Sequence, residues 1–307
     1  MDRTDETGSV LITGGSGLIG RYLTSTLLTA GYKVSHLSRK ANQFGKVRVF
    51  RWDPDKGIVD PHIFDGIDYI IHLAGANIGG RRWTAARREE IAASRNKSAR
   101  LLFDAVSAKS IKLRAFITAS ATGYYGAVST DRIFSEEDPP GEDFLAATCK
   151  LWEKAADLFK EAGARVVKIR SGLVLEKDNG LLGKMLKPAR LGIFPILGTG
   201  YQYVPWIHIE DLCNIYYKVL SDETIEGPYN AVAPEYVTQE IFMSTLANAL
   251  RKRYFNPRIP AALLRLILGQ MADIILTGSR ISARRISGTG YMFNYPYLRD
   301  ALSGLLS

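Results

Sequence analysis

The sequence predicts an α/β protein: a doubly wound parallel sheet of the Rossmann type followed by a smaller, mostly helical C-terminal lobe. Three observations predict it. Short apolar runs rich in β-branched residues, SVLIT, KVSHLSR, DYIIHLAG and RAFITAS, alternate with longer stretches of helical spacing, as strand–helix–strand units require. A glycine-rich turn joins the first strand to the first helix. Beyond residue 235 the pattern is helical, with IFMSTLANALRK (241–252) spaced as a packing helix.

The first unit is the most informative. SVLIT reads as a buried strand, RYLTSTLLTA as a helix closed by Gly31, and KVSHLSR as the second strand. Between strand and helix stand Gly14, Gly17 and Gly20. Glycine lets the backbone turn tightly and approach a pyrophosphate, while the helix N-terminus offers free N–H groups and the positive end of a dipole. Gly14, Gly15, Ser16, Gly17, Leu18, Ile19 and Gly20 are therefore the expected contacts of a dinucleotide. An acidic residue at the end of the second strand would take the ribose hydroxyls of NAD; Ser38, Arg39 and Lys40 stand there instead. A guanidinium clasps a 2′-phosphate through charge-assisted bonds, so NADP(H) is the expected cofactor. DYIIHLAG ends in small residues, where backbone passes close to a ligand, and Asp53 lies either near the adenine or in a solvated turn.

Composition bounds the rest. With 307 residues, 46% hydrophobic and 23% charged, the chain buries a large core. Cys149 and Cys213 are too few for a disulfide framework and lack metal-ligand spacing, so no metal is expected and a reducing cytoplasm fits. IPAALLRLILGQMADIIL (259–276), interrupted by Arg265, Gln270 and Asp273, suits a buried or docking helix and not a bilayer span. The net charge is +9, but the basic clusters at 79–90 and 251–258 accompany no nucleic-acid motif. The expected partner is a small molecule, with neither nucleic acid nor membrane; monomer and homodimer remain open.

The spacing G-x-x-G-x-x-G after Thr13 resembles the extended short-chain dehydrogenase/reductases. That resemblance implies that His72, Leu73, Ala74 and Gly75 form a turn beneath the cofactor riboses, with His72 structural. It also implies a Ser or Thr after the fourth strand, Ser120 being preferred to Thr122, and a Y-x-x-x-K dyad on the following helix. FLAATCKLWEK (144–154) holds no such dyad: with Glu153 in register, Leu145 takes the tyrosine position and Cys149 the lysine position. GYYG, CxxWE, RSGLVL and the stretch 183–212 together resemble one atypical branch, the YfcH-like, sugar-nucleotide-epimerase-labelled family 39U, with its own C-terminal domain over 256–302.

The resemblance implies an NADP-binding domain over 8–235, with 180–204 contributing to the substrate lobe, and a C-terminal lobe over 236–307. The catalytic candidates are Ser120, at the hydroxyl position the resemblance implies, and Tyr124 and Glu153, read from their own positions as replacements for the absent dyad; Ser120 and Gly172 are also expected beside the cofactor. Tyr124 and Tyr125 are read as an extended pair facing opposite ways. Tyr124, Lys184, Arg190 and Trp206 are the candidate substrate contacts, and Asp211 the expected cap of the helix after PWIHIEDL. The function expected is an NADP-dependent oxidoreductase or epimerase acting on a small polar substrate; the alternative is an NADP(H)-binding redox reporter with little turnover.

Overall fold

The computed structural model describes residues 7–39, 45 and 47–307; Lys40 lies outside them. The chain runs β1 (Ser9–Thr13), α1 (Leu18–Thr29), β2 (Lys33–Ser38), β3 (Arg48–Asp53), β4 (Ile58–Val59), β5 (Tyr69–His72), α2 (Ala85–Ala108) and β6 (Ala115–Ala121). It continues through β7 (Ile133–Phe134), α3 (Phe144–Glu161), β8 (Arg165–Ser171), β9 (Leu173–Leu175), α4 (Gly180–Ala189), β10 (Ile196–Leu197), β11 (Trp206–His208) and α5 (Ile209–Ser221). Then follow β12 (Gly227–Ala231), α6 (Gln239–Ala249), β13 (Arg258–Ile259), α7 (Ala261–Leu268), α8 (Asp273–Leu276), β14 (Arg280–Ile281), α9 (Arg284–Ser287) and α10 (Leu298–Leu306).

Eight strands form the main sheet in the order β12-β8-β6-β5-β1-β2-β3-β4. Every pairing is parallel except β3 with β4. The order reverses between β1 and β5, the switch point at which doubly wound sheets open a ligand crevice. Alternation along β1 explains the two covered faces: Val10 and Ile12 pack with Leu23, Leu27 and Ile215, while Leu11 packs with Leu102, Phe116 and Phe159. A third core, with Leu186, Phe194, Trp206, Phe242, Leu246 and Leu302, holds the smaller lobe.

The two parts are stitched together. β14 pairs with β7, and Asp211, fully buried, accepts hydrogen bonds from Tyr291 Oη (2.8 Å), Asn294 N (2.8 Å) and Tyr295 N (2.9 Å). The cap of α5 is His208, whose Nδ1 accepts from Glu210 N at 3.2 Å, and not Asp211. Other readings also change. Residues 259–276 are not one buried helix: Gly269, at φ 61°, separates α7 from a 3-10 turn and α8, and Leu266 and Ile267 are exposed. Thr122–Tyr125 form a 3-10 turn and not an extended pair.

Candidate active site

The glycine turn is close-packed for a physical reason at each of three positions. A Cβ on Gly20 would stand 2.5 Å from the Gly14 carbonyl oxygen, so only glycine lets α1 start against the turn. A Cβ on Gly15 would enter the His36 ring at 2.5 Å. Gly14, at φ 71°, adopts the left-handed region and lies against the Leu73–Ala74 backbone. The first turn of α1 carries no acidic residue, which leaves its N-terminal field free for an anion.

Beneath this turn runs a chain of hydrogen bonds that fixes His72. Thr13 Oγ1 accepts from Leu73 N and Ala74 N and donates to His72 Nδ1 (2.8 Å). His72 Nε2 then donates to Ser98 Oγ (3.1 Å), which donates to the Arg95 carbonyl. Burial, reinforced by the Arg95 charge, lowers the His72 pKa to about 3, so the ring is neutral and structural. His36 is likewise lowered to about 4 by burial, with Thr24 against Nε2 at 2.7 Å.

A cleft of about 700 Å³ opens above, lined by Gly14, Ser16, Ser38, Arg39, Ala74 and Gly75, with α2 as its far wall. Trp52, Pro54 and Asp55 border it, whereas Asp53 instead shapes its own turn by accepting from Asp55 N. Arg87 on α2 pairs with Glu90 at 2.6 Å, and that bond, together with Arg81 and Arg39, holds the Glu90 carboxyl below its ordinary pKa. Arg39 thus faces across the cleft.

Beyond Gly75 lies a second cavity, of about 410 Å³, between α3, α4, α6 and the segment 273–281. Leu145 and Cys149, the residues in the dyad positions, both line it, with Thr148 and Trp152 beside them. The Cys149 thiol is pushed up to about 12 by burial and by Glu153, against the opposing pull of Arg95, and is no nucleophile at neutral pH.

The proposed catalytic trio lies behind this cavity. Ser120 Oγ donates to Glu153 Oε1 at 2.7 Å, and Arg170 grips the same carboxylate through Nε and a second guanidinium nitrogen, both at 2.8 Å. Burial opposes the Arg170 charge, yet the Glu153 carboxylate outweighs it and holds the guanidinium's pKa above its usual range. Tyr125 Oη accepts from Arg170 and donates to Asn230 Oδ1 at 2.7 Å; the Arg170 guanidinium lies 3.4 Å from the Tyr124 ring centre. Ser120 and Glu153 are spent on one another and on Arg170. Thr122, not Ser120, lines the cavity, as does Tyr125 and not Tyr124.

The expected substrate contacts are also displaced. Trp206 is fully buried in the third core. Lys184 is exposed and reaches the Gly79 carbonyl at 3.4 Å, and Arg190 is exposed beyond α4. Leu181 and Met185 are the residues that α4 turns to the cavity, and Gly172 lines it too; a Cβ at 172 would strike the Pro205 carbonyl at 2.5 Å, so the position calls for glycine. Sequence reasoning missed Arg95. It shares the buried stripe of α2 with Ile91, Ser98, Leu102 and Val106, and an arginine in that register was the available signal.

Comparison with known proteins places these features. Residues 10–231 match the NAD dependent epimerase/dehydratase family, and residues 259–305 match a domain of unknown function, DUF1731. The human epimerase family protein SDR39U1 is 34% identical over 302 residues, covering 97% of this chain and 99% of its own. An epimerase family protein of Staphylococcus epidermidis is 33% identical over 96% of this chain and 98% of its own. The crystal structure of the human protein with NADPH superposes with a TM-score of 0.87, at 33% identity over 97% of this chain and 99% of that one. A glycine turn at the sheet's switch point, an Arg39-walled cleft and full-length similarity to such relatives lead to one conclusion: the chain belongs to the NAD dependent epimerase/dehydratase family, in the branch that includes SDR39U1.

Proposed function

We propose that the protein binds NADP(H) in the cleft and uses it for oxidoreduction, or for an epimerisation that passes through it, on a small molecule held in the second cavity. The observation that carries this reading is the cleft itself: a glycine turn against a helix N-terminus, with Ser38 and Arg39 on the wall where a 2′-phosphate is received. The similar human protein was crystallised with NADPH, which supports the same cofactor here. The cofactor supplies hydride when bound. The chain's own part is to seat the pyrophosphate on α1, to hold the ribose turn on the neutral His72 network, and to present the Thr122 hydroxyl to the cavity.

A second reading has one observation in its favour. Ser120 and Glu153 are bound into the Arg170 network, and the dyad positions hold Leu145 and Cys149, so the cavity lacks the usual proton donor. An NADP(H)-binding reporter with little turnover would need none. Calorimetric titration tests the shared premise: NADPH binds more tightly than NADH, and Arg39→Ala weakens NADPH about tenfold or more while leaving NADH little changed. Absence of binding by either nucleotide sinks both readings. Single-turnover oxidation of bound NADPH by a carbonyl panel separates them.

A further inference from the structure

Most of the polar side chains around the second cavity are already engaged. Thr148, Ser171, Gln202, Gln239, Thr277 and Ser279 all line it, and each donates its side-chain hydrogen to a backbone carbonyl: of Phe144, Ser120, Leu197 and Ile275, Pro195, Asp273 and Val128 respectively. Apart from the Thr122 hydroxyl and Asp273, whose carboxylate lies 3.7 Å from Arg265, the rest of the wall is mainly hydrocarbon, with Leu145, Leu173, Met185, Val204, Phe242 and Met243. A sugar ring brought here would lose water from several hydroxyls and find few free partners, and each hydroxyl left unpaired costs binding. An aliphatic or aromatic body loses nothing by the same transfer.

One wall group does not fit an all-apolar ligand. Arg95 is only 6% exposed, yet it lines the cavity. Its guanidinium donates to the Ala76 and Ile91 carbonyls, at 3.2 and 3.0 Å, and lies 4.7 Å from the Trp152 ring centre. Its Nε has no hydrogen-bond partner, and among the described residues no carboxylate pairs with it, Glu153 being taken by Arg170. Burial lowers its pKa to about 10, which still leaves it cationic at neutral pH. A buried charge without a counter-charge is costly, and an anionic ligand removes that cost.

We infer that this cavity takes a largely apolar organic acid, an aliphatic or aromatic body bearing one carboxylate, with the carboxylate received by Arg95. The inference rests on the oxidoreductase reading in treating the cavity as the substrate's seat, and it replaces the small polar substrate expected from the sequence. The geometry makes separate demands on the two ends of the ligand: hydrocarbon against Phe242 and Met243, and charge beside Trp152.

Calorimetry on the full chain tests this with three probes: decanoate, decan-1-ol and UDP-glucose, each with and without saturating NADPH. Decanoate should bind, the alcohol about tenfold or more weakly, and UDP-glucose not measurably. Arg95→Gln should erase the acid's advantage over the alcohol, and Met243→Trp should abolish binding of both by filling the cavity. Equal affinity for acid and alcohol, tighter binding of UDP-glucose, or decanoate binding untouched by Met243→Trp would each overturn the inference. If Arg95→Gln does not fold, the acid-to-alcohol ratio of the wild type and the Met243→Trp variant decide the matter. The NADPH titration is read separately, so failure of the cofactor to bind counts against the proposed function and a featureless decanoate titration counts against this inference.

Discussion

At the residue scale, Glu153 and Arg170 show why a carboxylate in a catalytic-looking position need not be catalytic. Their side chains are 7% and 3% exposed, and two hydrogen bonds of 2.8 Å join them. Removing one partner of such a pair leaves the other charge buried and alone. Glu153→Gln is therefore expected to lower unfolding free energy by about 3–5 kcal/mol in urea titration, and Glu153→Gln with Arg170→Met to recover part of that loss. Ser120→Ala should cost only about 1 kcal/mol, since it removes a single bond from a carboxylate that Arg170 still holds. An equally small effect of Glu153→Gln would return Glu153 to the list of proton donors.

The elements differ in how much of them the sequence discloses. β1, α1 and β2 were legible because apolar period, glycine spacing and strand-end chemistry all point to one unit. In α3 the register was legible as well: counting from Glu153 put Leu145 and Cys149 at the dyad positions, and both face the cavity. What the helix packs against was not legible. Arg170 lies seventeen residues away on β8 and meets Glu153 only because α3 packs across that strand. The cationic residues of α4 invited a substrate role, yet its Leu181 and Met185 face the cavity, because periodicity marks a face as apolar without saying whether core or ligand covers it. Two element-scale outcomes follow. Gly20→Ala, which forces a Cβ onto the Gly14 carbonyl, should destabilise the fold by about 1–3 kcal/mol and impair NADPH binding. Asp211→Ala should release the segment around 291–295, which limited proteolysis would detect as new cleavage there in otherwise folded protein.

For the whole molecule, the buried histidines set a pH response. His36 and His72 have folded pKa values of about 4 and about 3, against an ordinary 6.5. Below pH 6.5 the unfolded chain therefore binds protons that the folded chain refuses, so stability falls with pH until the folded pKa values are reached. From pH 7 to pH 5 the loss should be roughly 2 kcal/mol per histidine, read as a falling urea midpoint. Glu136, whose pKa burial raises, takes up its proton more readily folded than unfolded and so opposes this loss. A midpoint independent of pH over that interval would contradict the burial of both rings. The tryptophans offer another use of the architecture. Trp52 borders the cofactor cleft and Trp152 the cavity, while Trp206 is sealed in the third core. Reduced nicotinamide absorbs where indole emits, so bound cofactor quenches by energy transfer, while a ligand lying against Trp152 alters that indole's surroundings; each ligand seat thus carries its own built-in optical reporter. Comparing Trp52→Phe with Trp152→Phe would let one emission spectrum tell which of the two seats a ligand has filled, and in which order.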